Sequence, residues 1–330
     1  MKKIINDPEN VVDQMLDGMA FAYDSIVERL PETKILHRKA KKKNKVGLVS
    51  GGGSGHEPAH AGFVGKGMLS AAVAGQVFTS PTPDQVLEGI KAADEGAGVF
   101  LVIKNYTGDV MNFEMAEDLA DMEDIEVEHV VVDDDIAVED SSFTAGKRGV
   151  AGTVLVHKIL GAAAEEGKSL AEIKEMADRL VPNIKTIGVA LSPATNPEAG
   201  NPGFEIDDDE IEYGVGIHGE PGYRREKLKP SRDLAIELTE QLKKNFDWSK
   251  GEEYAILVNG MGATPLMEQF VFMSDVKELL VDEEGLKLSF KKVGDYMTSI
   301  DMEGLSLTLL KLEDQKWLDY LNAAEETISW

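Results

Sequence analysis

The spacing of hydrophobic positions changes several times along the chain. Between residues 11 and 23 apolar side chains recur every three or four positions, which predicts an amphipathic helix. Short runs rich in branched apolar residues follow and predict buried strands. The clearest runs occupy residues 46–50, 99–103, 127–132, 186–191 and 254–258.

Predicted helices separate these strands. Thr82 and Pro83 are typical of an N-cap and a first helical residue, and further helices are predicted from about Val110, within residues 149–181 and over residues 233–246. Strands that alternate with helices of this length predict an α/β fold, in which each mainly parallel or mixed sheet is covered by helices. A chain of 330 residues favours two such domains. We place them at residues 1–184 and 185–330.

Composition narrows the possible chemistry and partners. The chain has no cysteine, so histidine, carboxylate, lysine and backbone groups must supply any reactivity. Its net charge of -26 would repel nucleic acid and anionic membranes, and a neutral small substrate fits better. No run approaches the roughly 18 apolar residues of a membrane span, and no signal peptide is apparent. We therefore predict a cytoplasmic protein without nucleic-acid or membrane partners.

Two histidines lie in glycine-rich segments. His56 follows the glycine run of residues 51–55, and His218 lies among glycines at 214, 216, 219 and 222. Glycine permits close approach of backbone to a ligand, and a histidine there can act as a base, nucleophile or metal ligand. The alternatives are a tight turn that only fits a helix against a sheet, and an ordinary turn histidine.

Three motif interpretations compete for the first glycine-rich segment. Residues 56–60 match the His-Glu-x-x-His pattern of zinc proteases, but Pro58 is expected to open a helix that includes His60 and excludes His56. The glycine run also lacks the Lys-Ser/Thr of a phosphate-binding loop and the last glycine of the dinucleotide fingerprint. We predict no metal site. A zinc hydrolase that uses both histidines is an alternative interpretation.

Other candidate residues have simpler alternatives. Asp109 could be the N-cap of the helix from Val110, and Lys104 could be a surface lysine at a strand end. His60 and His157 on predicted helices, and His129 in a predicted strand, are expected to be core or surface imidazoles. His37, near the basic run 38–45, is expected to be solvated.

The order of several motifs resembles the dihydroxyacetone-binding subunit of phosphotransferase-system-dependent dihydroxyacetone kinases. The resemblance extends over nearly the whole chain. Its motifs lie at residues 3–6, 49–58, 78–83, 103–109, 132–135, 216–222 and 259–265.

The resemblance implies a role for individual residues. His218 would add through its ring nitrogen to the ketone carbon of dihydroxyacetone and form a covalent hemiaminal. Asp109 and His56 would take the proton from the terminal hydroxyl of the substrate as phosphate arrives. An ordinary aspartate is a weak base, so burial or a relay through His56 would be needed. The substrate-binding residues would be Gly53, Ser54, Gly55, His56, Lys104, Asp109 and His218.

The resemblance also implies partners. The sequence has no recognisable Walker motif or kinase glycine loop, so we expect this chain to bind no cofactor itself. A separate nucleotide-binding subunit would supply the phosphoryl group, recharged through a phosphotransferase-system phosphocarrier subunit, and the chain would form a homodimer. Asn196 and Asn201 depart from the family pattern and put its subgroup and partner contacts in doubt. The rival is a catalytically silent paralogue that binds dihydroxyacetone as a sensor or transcriptional coactivator.

Overall fold

The computed structural model describes residues 2–139 and 144–330 and contains two six-stranded sheets. The strands of the first sheet are β1 Val27–Arg29, β2 Ile35–Arg38, β3 Gly47–Ser54, β4 Ala71–Val77, β5 Val99–Lys104 and β6 Val127–Val132. Those of the second sheet are β7 Ile184–Ala190, β8 Glu210–Tyr213, β9 Arg224–Lys227, β10 Glu253–Gly260, β11 Lys287–Gly294 and β12 Gly304–Lys311.

Eight α-helices accompany the two sheets in the described residues. They are α1 Val11–Ala22, α2 Pro83–Ala93, α3 Thr107–Asp121, α4 Gly152–Glu166, α5 Leu170–Leu180, α6 Ser231–Phe246, α7 Leu266–Lys277 and α8 Gln315–Asn322. Short 3₁₀ turns lie at Pro8–Asn10, Ala61–Phe63 and Val181–Asn183, and a π-helical turn lies at Glu278–Glu283. No helix in the described ranges is long and apolar enough to cross a membrane.

The first sheet is parallel at its centre. Its order is β1-β2-β4-β3-β5-β6. Neighbouring strands from β4 to β6 in this order are parallel, whereas β2 is antiparallel to both β1 and β4. The second sheet, in the order β11-β10-β12-β7-β8-β9, is antiparallel apart from the β10–β11 pair. The prediction of mixed sheets covered by helices is confirmed.

Helix α4 packs between the sheets. It contacts β3 and β5 of the first sheet and β7 and β12 of the second, and every residue from Gly152 to Ala164 is buried. A helix that is buried all round needs apolar side chains on every face, and most positions of α4 meet that need. The largest hydrophobic cluster accordingly includes side chains from both sheets, such as Leu48 and Leu257. The domain boundary at 184/185 falls at the start of β7 and stays a prediction.

The sequence interpretation was wrong at several local positions. The glycine run continues strand β3 to Ser54 instead of forming a turn after Ser50. His60 precedes a 3₁₀ turn and is not on an α-helix. Helix α3 begins at Thr107, so Asp109 lies within its first turn and is not its N-cap. His37 is buried, with 8% of its surface exposed.

Candidate active site

A cavity opens where the ends of β3 and β5 approach the loop that follows β8. Its volume is about 470 Å³. Gly53 lies near the end of β3, Asp109 lies in the first turn of α3, and His218 belongs to the loop between β8 and β9. The lining residues are Gly53, Phe78, Ser80, Tyr106, Thr107, Gly108, Asp109 and His218.

His56 and His218 face each other at this cavity. Their Nε2 atoms are 3.1 Å apart although the residues are 162 positions apart in sequence. The His56 ring is fully buried, and its Nδ1 lies 2.8 Å from the carbonyl oxygen of Thr298. Because a carbonyl only accepts, His56 Nδ1 must donate, which leaves Nε2 as the atom that meets His218.

His218 has the same tautomeric constraint. Its Nδ1 lies 3.0 Å from Glu220 Oε1, and its backbone N–H donates to Glu220 Oε2 over 2.9 Å. Burial opposes ionisation of Glu220, but the hydrogen bond and charge of His218 prevail and lower its pKa. The ionised carboxylate accepts, so His218 Nδ1 donates and its Nε2 is left for His56 or a ligand.

One proton must therefore lie between the two Nε2 atoms. With both Nδ1 atoms donating elsewhere, two neutral rings would direct lone pairs at each other over 3.1 Å. Burial, followed by the charges of His218 and Lys104, lowers the pKa of His56 well below its ordinary value.

Aromatic rings hold His218 in place. Tyr106 meets its ring edge-on with centroids 4.6 Å apart, and Phe78 does so at 5.2 Å. Phe78 also stacks on His56 with centroids 5.2 Å apart. These rings limit rotation of both imidazoles, and His218 lines the cavity.

Asp109 forms the second reactive group of the cavity. It is 3% exposed, its Oδ1 accepts a hydrogen bond from Ser80, and its Oδ2 lies 3.3 Å from Lys104 Nζ. Because Asp109 is in the first turn of α3, its carboxylate also lies near the positive end of the helix dipole. Asp109 is therefore a buried carboxylate that is oriented at both oxygens.

Lys104 lies beneath this carboxylate and is not among the residues that line the cavity. It is 1% exposed, and its ammonium lies 3.2 Å from Gly51 O and 3.2 Å from His60 Nε2. The interpretation of Lys104 as a surface lysine was wrong. A Cβ at Gly52 would lie only 2.4 Å from its Nζ, so glycine at that position leaves room for the ion pair.

The remaining predicted residues have other surroundings. Ser54 Oγ donates to Gly75 O over 2.7 Å, and the Gly55 N–H donates to the Glu57 carboxylate. Both residues border a separate, smaller cavity near Met15 and Ile300. Their predicted contact with substrate stays a prediction, while His218, His56, Asp109 and Gly53 lie together.

Sequence reasoning assigned no role to several residues of the site. Their positions inside the motifs at residues 78–83, 103–109 and 216–222 could have indicated a role in the site. These residues are Glu220, Tyr106, Phe78 and Ser80. Thr298 contributes through its carbonyl group, which leaves no signature in a side chain.

The described residues provide no cluster of three or more metal-ligating side chains. His56 faces His218, whereas His60 faces Lys104 and His157. The two histidines of the zinc-protease pattern thus have different partners, which argues against a zinc site formed by that pair.

Residues 17–329 match the Dak1 domain. The chain belongs to the Dak1 family. The resemblance seen in its motifs is thereby confirmed. This Dak1 chain is 67% identical over 329 residues to the Lactococcus lactis PTS-dependent dihydroxyacetone kinase, dihydroxyacetone-binding subunit DhaK, covering 100% of this chain and 99% of that protein.

Two further relatives differ in their described roles. The DhaKLM operon coactivator DhaQ of Lactococcus lactis is 46% identical, covering 99% of this chain and 100% of that protein. The dihydroxyacetone kinase of C. freundii, solved with AMP-PNP and Mg²⁺, superposes with a TM-score of 0.91 at 34% identity. That match covers 100% of this chain and 60% of the kinase chain. The family thus contains kinase subunits and a coactivator.

Proposed function

We propose that this chain is the dihydroxyacetone-binding, catalytic subunit of a two-component dihydroxyacetone kinase. The observation that carries the proposal is the histidine pair at the cavity, whose Nε2 atoms are 3.1 Å apart, together with Asp109 in the lining of the same cavity. The 67% identity to a dihydroxyacetone-binding kinase subunit supports the choice of substrate.

The proposed first step is addition of His218 to the ketone. His56 Nε2 takes the shared proton, which frees the lone pair of His218 Nε2 to form a bond with the carbonyl carbon. The electron pair of the carbonyl π bond moves to oxygen, and His56 returns the proton to that oxygen. The product is a hemiaminal hydroxyl on a positively charged ring that faces Glu220, so atoms and charge balance.

This step selects for a carbonyl compound. Glycerol has no electrophilic carbon and cannot form the bond, whereas dihydroxyacetone can. The reactivity of the carbonyl carbon therefore separates two small substrates of nearly equal size.

In the proposed second step Asp109 accepts the proton of the terminal hydroxyl while phosphate is transferred to its oxygen. Ser80 and Lys104 orient the carboxylate through separate oxygens and leave a lone pair for the substrate. The phosphoryl group would come from a nucleotide on a partner subunit, recharged through a phosphocarrier subunit of the phosphotransferase system. We also propose that the chain acts as a homodimer.

The second candidate function is a sensor that binds dihydroxyacetone without turnover. The 46% identity to the coactivator supports it, and adduct formation alone would not distinguish the two. A kinase additionally needs an oriented base, and the two hydrogen bonds to Asp109 favour the kinase.

The deciding experiment measures dihydroxyacetone phosphate formation with a nucleotide-loaded partner subunit and a phosphoenolpyruvate system. We expect turnover with the complete system and none with ATP alone. Intact-protein mass spectrometry should show a gain of about 90 Da with dihydroxyacetone, the whole mass of the ketone, which is lost in His218→Ala. An adduct without turnover, alongside a partner that is active with a known kinase subunit, would favour the sensor.

A further inference from the structure

Two buried histidines outside the cavity form a chain of hydrogen bonds that ends on Lys104. His60 Nε2 lies 3.2 Å from Lys104 Nζ, and His60 Nδ1 lies 2.8 Å from His157 Nε2. His60 is 6% exposed and His157 is fully buried. Neither the predicted chemistry nor the proposed mechanism uses these rings.

The direction of each hydrogen bond follows from its donor. The Lys104 ammonium has only donors, so His60 Nε2 must accept and His60 Nδ1 carries the proton. A contact with Ser50 independently places the proton of His60 on Nδ1. The Ser50 hydroxyl donates to Val102 O over 2.7 Å, so it can only accept from His60 Nδ1, which lies 3.4 Å away.

The chain continues in the same direction to His157. Since His60 Nδ1 donates, His157 Nε2 accepts and the proton of a neutral His157 is on Nδ1. That Nδ1 atom is buried and has no hydrogen-bond partner among the described residues. Burial and the charge of Lys104 lower the pKa of both histidines, that of His157 to about 3. Both rings are therefore neutral near pH 7, in one tautomer each.

The consequence concerns the orientation of Lys104. Its three protons have three acceptors, namely Gly51 O, His60 Nε2 and Asp109 Oδ2. Without His60 one proton of a fully buried ammonium would lack an acceptor, and the side chain would turn toward another partner. A turn of the ammonium would change its bond to Asp109.

We propose that His60 and His157 are positioning residues for phosphoryl transfer, holding Lys104 in the orientation that fixes the Asp109 carboxylate. This inference rests on the proposed function, in which Asp109 is the base. His60 acts through its acceptor on Lys104, and His157 acts by holding the His60 ring.

The test compares two substitutions of similar shape. His60→Gln places a carbonyl oxygen near the position of Nε2 and retains an acceptor, whereas His60→Met does not. In the complete kinase assay we expect His60→Met to lower kcat tenfold or more, with KM and the 90 Da adduct unchanged. His60→Gln should recover kcat to within about threefold of the natural protein. His129→Met is the control and should be unaffected, because this partly buried histidine lies on β6 and pairs with Glu117 over 2.7 Å.

Several outcomes would overturn the inference. The first is an unchanged kcat in His60→Met. The second is an equal loss of kcat in both His60 variants together with loss of the adduct, which is the result that a purely structural role predicts. If the natural protein itself fails to turn over in the complete assay, the proposed function has failed instead.

A second measurement needs no variant to be active. Histidine ¹⁵N NMR of the natural protein should show His60 and His157 as neutral rings with the proton on Nδ1 at pH 7. Assignment can use the spectra of His60→Gln and His157→Gln. An Nε2-protonated or a charged His60 would refute the inference even if His60→Met does not fold.

Discussion

Gly52→Ala should separate phosphoryl transfer from substrate capture. The added Cβ would lie 2.4 Å from Lys104 Nζ and 3.1 Å from Asp109 Oδ2. Since a carbon needs about 3.5 Å to a neighbouring heavy atom, the ammonium must retreat by roughly 1 Å. Its three hydrogen bonds are already 3.2 to 3.3 Å long, so such a shift breaks at least one of them.

The expected effect follows from the loss of one hydrogen bond to a charged group. Such a bond contributes about 1.5–3 kcal/mol, which corresponds to a fall in kcat of about ten- to a hundredfold. His218 makes no contact with Lys104 or Gly52 in the hydrogen-bond network, so we expect the adduct to form normally in Gly52→Ala. The assay is kcat with the partner subunit, alongside adduct mass on the same preparation.

Two glycines serve as controls for the backbone. Gly52 has φ of 142°, a conformation that alanine rarely adopts. Gly167 also has positive φ, at 101°, but nothing lies within 4 Å of an added Cβ, so Gly167→Ala tests backbone strain alone. Gly18→Ala, exposed in α1 with open space around it, should slightly stabilise the protein. Natural kcat in Gly52→Ala, or loss of the adduct together with kcat, would refute the reasoning.

Three further substitutions test other parts of the site. Asp109→Asn should keep the adduct and lower kcat about a hundredfold or more, because proton acceptance is lost; unchanged turnover would remove Asp109 as the base. Glu220→Gln should weaken the adduct about tenfold or more, measured by titration with dihydroxyacetone, because the charged ring of the adduct loses its carboxylate; undiminished affinity would contradict this. His157→Gln tests pH dependence. The folded-state pKa of His157 is about 3, below its unfolded value of about 6.5, so its contribution to stability is present above pH 6.5 and is lost as pH falls. Between pH 7 and pH 5 the natural protein should lose about 2 kcal/mol more stability than His157→Gln in denaturant unfolding, and an equal loss would be inconsistent with a neutral buried ring.

Much of the fold could be predicted because its strands carry the signal in their own side chains. The runs that became β5 and β6 are rich in branched apolar residues, and their predicted limits differ from the observed ones by at most one residue. The second half of β3 could not be predicted in this way, because glycines have no side chain whose period could be read. Its strand character comes from pairing with β4, where a Cβ on Gly51 would lie 2.2 Å from Val73 O.

The candidate site was predictable only as far as local motifs extend. His218 and Asp109 are recognisable from their own motifs, whereas the proposed role of His60 also depends on His157, 97 residues away. Local sequence therefore favoured an ordinary core imidazole for both. The burial of Lys104 could not be predicted for the same reason. The residues that cover it come from segments distant in sequence, and a position at the end of a strand does not indicate burial.

The pairing of His56 with His218 has a consequence for the lifetime of the protein. One histidine follows the first sheet and the other belongs to the second, while the Gly55 and His56 carbonyls accept hydrogen bonds from Ile300 and Thr298. Under the proposed function, a chain in which only one sheet is folded cannot capture the ketone. Binding confined to the complete fold shifts the folding equilibrium toward that fold by mass action. A smaller unfolded population is less exposed to proteases, so under the proposed function we expect dihydroxyacetone to slow proteolysis of this chain.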